Sequence, residues 1–288
     1  MERLNLITKG GKGYELLDMG EGEKLERFGD VLLARPDPQA LWIKSLGEGE
    51  WQKAAGVYKR ESGESRGGWV GNIPKEWQIG FGGLKFLVKP TSFKHTGLFP
   101  EQFSNWEWVG AALKNAQNPS VLNLFGYTGG ATLAAAKAGA SVCHVDASKT
   151  AVAWARENAK LSGLEDRPIR WIIEDVLLFM KREIKRGVKY DAIIMDPPAF
   201  GRGPKDEVWK IEESFTELMQ LCTELLSENP LFVLINGYAA GYSSLAFAYN
   251  LEQFQTKFGG VIEHGELTIA QSNSERLLPC GIFARWSK

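Results

Sequence analysis

Two patterns of apolar residues divide the chain into an N-terminal part and a larger C-terminal part. In residues 1–90, short apolar runs such as "VLLARP" and "LKFLVKP" are separated by glycine, proline and charged turns. Runs of this length, bounded by turn residues, are typical of short β-strands. The pattern therefore predicts a small β-rich N-terminal domain over residues 1–90.

From residue 91 onward, apolar strand-like runs alternate with amphipathic helical stretches. The runs that predict strands are "SVLNLF", "SVCHVDAS", "IRWIIEDV", "YDAIIMD" and "LFVLING". A helical pattern follows each of them, and the longest of these patterns is "EVWKIEESFTELMQLCTELLS". Regular alternation of this kind predicts an α/β domain over residues 91–288, with a doubly wound and mostly parallel sheet.

The C-terminal tail breaks this alternation. The strand-like runs "VIEHGELTIAQ" and "CGIFARWS" are joined by "SNSERLLP", with no helix between them. A connection this short cannot make a parallel crossover, so the two runs should be antiparallel. The sequence therefore predicts a seven-stranded sheet that ends in an antiparallel hairpin.

Composition limits the classes of function. The net charge of −1 gives no overall basic field that would attract nucleic acid. Three cysteines and three histidines are scattered without metal-ligand spacing, so we expect no metal site. No run approaches the roughly 18 apolar residues of a membrane helix, and the N-terminus lacks the apolar core of a signal peptide. We therefore expect a cytoplasmic protein.

Candidate ligand-binding residues follow the first four predicted strands of the α/β domain. The first strand leads into "GYTGG", in which Gly126 and Gly129 would permit positive φ or a close approach of a ligand to the backbone. Asp146 follows the second strand and could accept hydrogen bonds from a ribose, and Asp175 follows the third and could meet an adenine amine. Successive strand ends with these residues describe a nucleoside pocket.

Each of these positions also has an ordinary structural explanation. The glycines could serve only a tight turn between a strand and a helix, and Asp146 could be the N-cap of the next helix. Glu174 competes with its neighbour Asp175 for the adenine.

Two cofactors would fit such a pocket, NAD(P) and S-adenosylmethionine. The G-x-x-G-G spacing departs from the dinucleotide fingerprint, and the terminal hairpin has no role in a dehydrogenase.

The fourth strand ends in "MDPPAF", where Asp196 is followed by Pro197 and Pro198. Proline lacks the N–H group that a central ladder needs, so the strand must stop there. Asp196 should therefore lie at the carboxyl end of a buried strand, with a stiff and kinked loop after it. In open α/β sheets, this is the edge at which ligands bind.

These segments together resemble a known family. "VLNLFGYTGGATLAAAKAGA", "VDAS", "EDV" and "MDPPAFGRG" are similar to the class I S-adenosylmethionine-dependent methyltransferases, and closest to the bacterial large-subunit ribosomal RNA methyltransferases with a D-P-P-x-F motif. "KHTGLFPEQ" resembles the K-T-G segment that precedes the sheet in that group, with His95 inserted. The resemblance covers roughly residues 80–288, and it implies that residues 1–90 form the small accessory domain of the family.

The resemblance implies that S-adenosyl-L-methionine is the cofactor. It implies a ribose on Asp146, an adenine on Asp175 and the methionine part along the loop of Gly126. The "HTGLFPEQ" segment would lie beside the cofactor, although it could also be a domain hinge. The implied cofactor-binding residues are Thr96, Gly97, Phe99, Gln102, Asn123, Phe125, Gly126, Tyr127, Thr128, Gly129, Asp146, Ala147, Ser148, Asn158, Asp175, Val176 and Asp196.

On the acceptor side, the resemblance implies that Asp196 and the Pro197 carbonyl face the methyl-accepting atom, and that Phe200 stacks a planar acceptor. An amine loses a proton as it is methylated, so these acceptor groups suit a nitrogen atom. RNA, with ribosomal RNA among the candidates, is the substrate that the resemblance implies. A protein or small-molecule acceptor and a non-catalytic binding protein remain as alternatives.

The chain departs from one branch of this family. Enzymes that methylate cytosine at C5 first attack C6 with a cysteine thiolate, and their cysteine lies just past the fifth strand. At that place this chain reads "LINGYAAGY", with Asn236 and no cysteine. We therefore expect that 5-methylcytosine is not its product.

Overall fold

The computed structural model describes residues 1–60, 67–238 and 241–288. Contacts within the chain divide it into two compact units. The larger unit comprises Met1–Leu6, Ser104–Leu267 and Gly281–Lys288, and the smaller comprises Ile7–Phe103 and Thr268–Cys280. This division differs from the expected boundary at residue 90, because the first strand and the tail are shared between units. Folding of residues 1–90 and 91–288 as separate domains stays a prediction.

The larger unit contains the helices that follow the predicted pattern. They are α2 (Phe103–Leu113), α3 (Gly130–Lys137), α4 (Lys149–Leu161), α5 (Val176–Lys185), α6 (Ile211–Leu225) and α7 (Ser244–Phe258), and α1 (Glu48–Trp51) belongs to the smaller unit. A 3-10 turn covers Pro100–Gln102. None of the helices in the described ranges is long and apolar enough to cross a membrane.

β1 (Glu2–Thr8) comes first in the chain, and the strands of the smaller unit follow it. They are β2 (Tyr14–Gly20), β3 (Glu23–Phe28), β4 (Val31–Pro36), β5 (Gly56–Arg60), β6 (Gly67–Gly71), β7 (Trp77–Phe81) and β8 (Leu84–Val88). The later strands are β9 (Ser120–Leu124), β10 (Ser141–Asp146), β11 (Ile169–Ile173), β12 (Ala192–Met195), β13 (Phe200–Arg202), β14 (Val208–Lys210), β15 (Phe232–Gly237), β16 (Val261–Ala270) and β17 (Leu277–Ser287).

The large sheet has the order β1-β16-β17-β15-β12-β9-β10-β11 within the described residues. Strands β11, β10, β9, β12 and β15 are parallel, and β17 is antiparallel to β15. The predicted doubly wound sheet with its reversed C-terminal strand is thus confirmed. It has eight strands because β1 extends the seven expected ones at the edge beside β16, which sequence periodicity alone did not indicate.

Both faces of this sheet are covered at β12, which explains the uninterrupted apolar run of that strand. All four residues of β12 are buried, as expected for a strand packed on two sides. On one face Ile193 and Met195 pack in a core with α5, α6 and α7, and on the other Ala192 and Ile194 pack with α2 and α3. This alternation fixes the register of β12, and with it the position of Asp196.

The predicted helix over "EVWKIEESFTELMQLCTELLS" starts later than expected. Val208–Lys210 instead forms β14, which pairs antiparallel with β13, and α6 begins at Ile211. The buried indole of Trp209 explains the difference, because its Nε1 donates a hydrogen bond of 2.7 Å to the carbonyl of Pro198. The segment after Asp196 is therefore a small hairpin as well as a kinked loop.

The smaller unit contains a five-stranded sheet, β2-β3-β4-β5-β6, and the hairpin β7-β8. Its interior holds a buried charge group, in which Arg35 and the hydroxyl of Tyr14 both bond the carboxylate of Glu26. Burial alone would raise the pKa of Glu26, but Arg35 and Lys24 outweigh it and lower the pKa to about 2. The β-rich character expected from the sequence is therefore present in this unit.

Candidate cofactor and acceptor site

The predicted ligand residues of the larger unit lie at the carboxyl edge of its parallel strands. β9 is flanked by β10 on one side and by β12 on the other. The chain places β10 on one side of β9 and later crosses back to place β12 on the other side. This reversal of the strand order is a topological switch point. Crevices at such points are where open α/β sheets bind ligands.

The loop after β9 has an unusual backbone. Phe125, Tyr127 and Gly129 have φ values of 55°, 47° and 90°, all in the left-handed region. For bulky residues such as Phe and Tyr this conformation is uncommon, and it persists only where surrounding contacts enforce it. Here the Gly129 N–H donates to the Gly126 carbonyl at 2.9 Å. The loop is therefore a strained and tightly bonded turn, of the kind that recurs at ligand sites.

Asp146 terminates β10 directly beside this loop. Its Oδ2 accepts a hydrogen bond from the Tyr127 N–H, and its Oδ1 accepts one from the Ser148 N–H, both at 2.8 Å. Burial nevertheless raises the pKa of Asp146 above its ordinary value. Each carboxylate oxygen can accept more than one hydrogen bond, so Asp146 retains capacity for a ligand.

The alternative that Asp146 caps the next helix is not what the structure shows. The N-cap of α4 is Ser148, whose Oγ accepts from the Ala151 N–H at 3.2 Å. Asp146 orders the turn that leads into the cap. Ser148 was predicted to bind the cofactor, and its hydroxyl has this structural task, while its neighbour Ala147 is half-buried.

The third strand end presents Ile173, Glu174 and Asp175. Asp175 is the N-cap of α5, where its Oδ1 accepts from the Leu178 N–H at 3.0 Å. Glu174, the competing acid, forms an ion pair with Arg182. Ile173 is 44% exposed at the end of β11, an apolar surface that the sequence pattern does not indicate. Both acids thus have a partner within the protein, and the choice of Asp175 over Glu174 stays a prediction.

Asp196 follows the last residue of β12, and its N–H donates to the Leu124 carbonyl of β9 at 3.4 Å. Pro197 is buried, whereas Pro198 is exposed and the side chain of Phe200 is 56% exposed. The strand end therefore carries an acidic group followed by an open aromatic ring.

The hairpin beyond Phe200 is linked to the loop after β9. The ring of Trp209 packs 4.9 Å from that of Phe125, measured between centroids, while its indole N–H bonds the Pro198 carbonyl. Trp209 therefore contacts both loops at this edge. It was not among the predicted site residues, because a tryptophan inside a helical pattern gives no indication of such a role.

Several predicted cofactor residues lie beneath this surface. Asn123, Thr128 and Val176 are at most 4% exposed, and Asn158 is fully buried. Asn158 donates from its Nδ2 to the Thr128 carbonyl at 2.9 Å, so it holds the loop after β9 from its buried side. Asn158 thus supports the loop through this bond, and direct contact of these four residues with a ligand stays a prediction.

The predicted residues of the "KHTGLFPEQ" segment belong to the smaller unit. Thr96 is 1% exposed and its Oγ1 has no hydrogen-bond partner within the described ranges, and Gly97 has a φ of 88°. Phe99 lies 5.3 Å from the ring of His95, and Gln102 is buried in the 3-10 turn. A role for these residues beside a cofactor stays a prediction.

The three cysteines are poor candidates for a nucleophile. Cys143 and Cys222 are buried, and burial raises the pKa of Cys143 to about 11 and that of Cys222 further. Burial also raises the pKa of Cys280 well above its ordinary value. At the place where the cytosine enzymes would carry their cysteine, Asn236 is buried and accepts a hydrogen bond of 2.7 Å from Asn105.

Among the residues that the structure describes, no group of three or more histidine, cysteine or acidic side chains is arranged to hold a metal ion.

Known proteins resemble this chain along most of its length. A family model for S-adenosylmethionine-dependent methyltransferases matches residues 46–255. Ribosomal RNA large subunit methyltransferase K/L of Shewanella frigidimarina is 33% identical over 217 residues, which are 73% of this chain and 28% of that protein. The chain thus spans less than a third of the length of this curated relative.

Solved structures show the same architecture. The SAM-dependent methyltransferase from Agrobacterium tumefaciens matches with a TM-score of 0.93 and 39% identity, over 99% of this chain and 95% of that one. A chain crystallised in complex with S-adenosylhomocysteine matches with a TM-score of 0.69 and 22% identity, over 96% of this chain and 76% of the other. The second likeness is one of fold.

Proposed function

Because the chain belongs to the family of S-adenosylmethionine-dependent methyltransferases, we propose that it transfers a methyl group to a nitrogen atom of an RNA base. Family membership makes S-adenosylmethionine the cofactor. The observation that carries the proposal is an acidic strand end, Asp196, followed by an exposed aromatic ring, Phe200, at the switch point of the sheet.

The residues after β9, β10 and β11 fit an adenosyl group. Burial raises the pKa of Asp146, so its carboxylate lacks part of the stabilisation that water would give. Two ribose hydroxyl groups would supply the missing donors and favour the charged form. One oxygen of Asp175 caps α5, which leaves the other for an exocyclic amine, and exposed Ile173 offers an apolar surface for a ring.

When bound, S-adenosylmethionine supplies a methyl group that is already activated by the positive sulfur. The chain then has to align an acceptor lone pair with that methyl group and keep competing water away. Asp196 and the Pro197 carbonyl would accept hydrogen bonds from an amine and so turn its lone pair towards the methyl group. The proton that the amine loses on methylation would pass to Asp196 or to solvent.

An RNA substrate is supported by two observations of different kinds. The curated relatives carry the name of ribosomal RNA large subunit methyltransferases. Phe200, four residues after Asp196 in the chain, is exposed, as a side chain must be if it is to stack a base. A base inside a duplex would have to be flipped out to reach Asp196. An RNA substrate of this type would place the protein in the cytoplasm, which is part of the proposal.

Methyl transfer to fractionated cell extract tests this function. The full-length chain is incubated with labelled S-adenosylmethionine and extract, which is then separated into RNA, protein and small molecules. We expect label in RNA, as a methylated nitrogen rather than 5-methylcytosine when nucleosides are identified by mass spectrometry. Label confined to protein or to small molecules would reject the RNA substrate while keeping the methyltransferase.

A further inference from the structure

Three consecutive residues of β10 hold the loop after β9 in place. The ring of His144 packs against Gly126, and the Val145 carbonyl accepts a hydrogen bond of 3.0 Å from the Gly126 N–H. The next residue, Asp146, accepts from the Tyr127 N–H at 2.8 Å. The strand therefore contacts the loop through a side chain, a carbonyl and a carboxylate in succession.

Gly126 is required here for space. A Cβ atom at this position would lie 2.4 Å from Cε1 and 2.5 Å from Nδ1 of His144, distances that real Cβ atoms do not adopt. Its φ is not in the left-handed region, unlike those of its neighbours Phe125 and Tyr127. The common explanation of a glycine in such a loop, freedom of φ, thus does not apply to Gly126.

The ring of His144 cannot turn aside to make room. It is fully buried, its Nδ1 lies 2.8 Å from the Thr132 hydroxyl, and Thr132 in turn accepts from the Asn123 amide at 2.8 Å. The ring of Trp171 packs 4.9 Å away. If the Thr132 proton is used for Nδ1, the proton of the neutral imidazole is on Nε2, a tautomer assigned from the network. Within the described part of the chain, Nε2 is buried without a partner.

We propose that His144 is a positioning residue for the cofactor, whose imidazole edge fixes the loop from Gly126 to Tyr127 so that the Tyr127 N–H meets Asp146. The Asn123 and Thr132 side chains fix the imidazole in turn. Asp146 then presents its remaining hydrogen-bonding capacity to the ribose. This inference rests on the proposed placement of the ribose on Asp146. Burial keeps the ring neutral by lowering its pKa to about 3, which suits a packing role rather than acid-base chemistry.

Two explanations of Gly126 make different predictions. If the glycine exists because the cofactor passes close to its Cα, adding a methyl group there harms binding whatever occupies position 144. If it exists because of His144, the harm depends on the imidazole. A double-mutant cycle between the two positions separates them.

The experiment is calorimetric titration of S-adenosylhomocysteine into four full-length proteins: wild type, Gly126→Ala, His144→Ala and the double variant. We expect Gly126→Ala to raise Kd at least tenfold in the wild-type background and less than threefold in the His144→Ala background. An equal loss in both backgrounds would overturn the proposal. His144→Val replaces His144→Ala if the latter does not fold, since valine is too short to reach Gly126.

Control variants separate positioning from simple loss of packing. Val142→Ala removes buried volume from the same face of β10 and should lower the melting temperature without changing Kd. His144→Phe retains a ring at the contact, so Gly126→Ala should remain harmful beside it. Hydrogen exchange of the Tyr127 amide should accelerate in His144→Ala but not in Val142→Ala, and equal exchange in both would contradict the proposal. If Asp146→Asn binds as tightly as wild type, the ribose placement itself fails, whatever the cycle shows.

Discussion

The loops after β9 and β12 lie at the same edge of one sheet, yet the chain treats them in opposite ways. In the first, the Gly126 N–H, the Tyr127 N–H and the Thr128 carbonyl are all bonded by residues of the protein. In the second, Trp209 bonds the Pro198 carbonyl, but the side chains of Pro198 and Phe200 are exposed to solvent. One loop is preformed, and the other presents open surface.

This difference separates two tasks. A cofactor that is the same in every turnover benefits from a rigid site, because little ordering remains to be done on binding. An acceptor that must be recognised within a larger molecule requires accessible surface. We therefore interpret the β9 side as the cofactor half of the site and the β12 side as the half that decides the substrate.

The largest expected effect comes from removing the acid on the acceptor side. Asp196→Asn should reduce methyl transfer by about a thousandfold, in the range typical for loss of a group that acts on the reacting atoms. S-adenosylhomocysteine should still bind within about threefold of wild type, because the cofactor half is untouched. A methyl-transfer assay measures the rate, and calorimetric titration measures the affinity for S-adenosylhomocysteine.

Asp191→Asn is the matched control for Asp196, since it alters a carboxylate at the opposite end of the same strand. Asp191 accepts from the Ser120 N–H and hydroxyl, so its variant should lose stability. Its rate of methyl transfer, measured under conditions in which the variant is fully folded, should equal that of wild type. A comparable loss of transfer in both variants would mean that Asp196 acts on the fold and not on the acceptor.

A smaller effect is expected on the cofactor side. Asp146→Asn keeps the shape but removes the charge that would bind the ribose hydroxyls, and hydrogen bonds to a charged group contribute about 1.5–3 kcal/mol. We expect Kd for S-adenosylhomocysteine to rise by roughly 10- to 100-fold. With saturating cofactor, the transfer rate should recover most of its wild-type value, which Asp196→Asn should not do.

Acid should lower the stability of the folded chain through His144. Burial lowers the pKa of His144 from 6.5 to about 3, so the native state holds it neutral while the unfolded chain takes up a proton near pH 6.5. The resulting stability is complete above pH 6.5 and is lost as the pH falls towards 3. Between pH 7.5 and 5.5, this one group should shift the unfolding equilibrium about tenfold. Denaturant unfolding of wild type and of His144→Phe at several pH values measures this shift. If the free energy of unfolding has the same pH dependence in both proteins, the lowered pKa is not that of His144.

The smallest effect is expected where the two halves meet. Trp209→Phe removes the hydrogen bond to the Pro198 carbonyl, a loss of about 0.5–1.5 kcal/mol. We expect kcat/KM for RNA to fall about fivefold while the Kd of S-adenosylhomocysteine stays unchanged. Trp286→Phe is the control, because it loses an equivalent bond to the Gly259 carbonyl and should alter stability alone. A change in cofactor affinity instead would place Trp209 in the cofactor half.

Much of this architecture follows from the sequence, for identifiable reasons. Strand β12 is apolar throughout because both faces of the sheet are covered there, and the prolines after Asp196 mark its end. The eighth strand was not predicted, since the pairing of β1 at the sheet edge depends on contacts far along the chain. Pattern likewise assigned Val208–Lys210 to a helix, and the burial of Trp209 overrode it.

The site was harder to predict than the fold. Acids at strand ends can be read from the sequence, and so Asp146, Asp175 and Asp196 could be named. The side chains that hold the loop after β9 cannot, because Asn158 and His144 act from inside the fold and their partners are distant in sequence. The resemblance named Asn158 as a ligand residue, whereas only packing reveals that it is fully buried.

A crystal structure of the chain with S-adenosylhomocysteine shows directly whether the cofactor lies on Asp146. We expect ribose hydroxyl oxygens at hydrogen-bond distance, about 2.6–3.2 Å, from the carboxylate of Asp146. We also expect the adenine amine at Asp175 and the sulfur turned towards Asp196. An adenosyl group bound elsewhere, or a ribose held by residues other than Asp146 with the loop after β9 displaced, would contradict this placement.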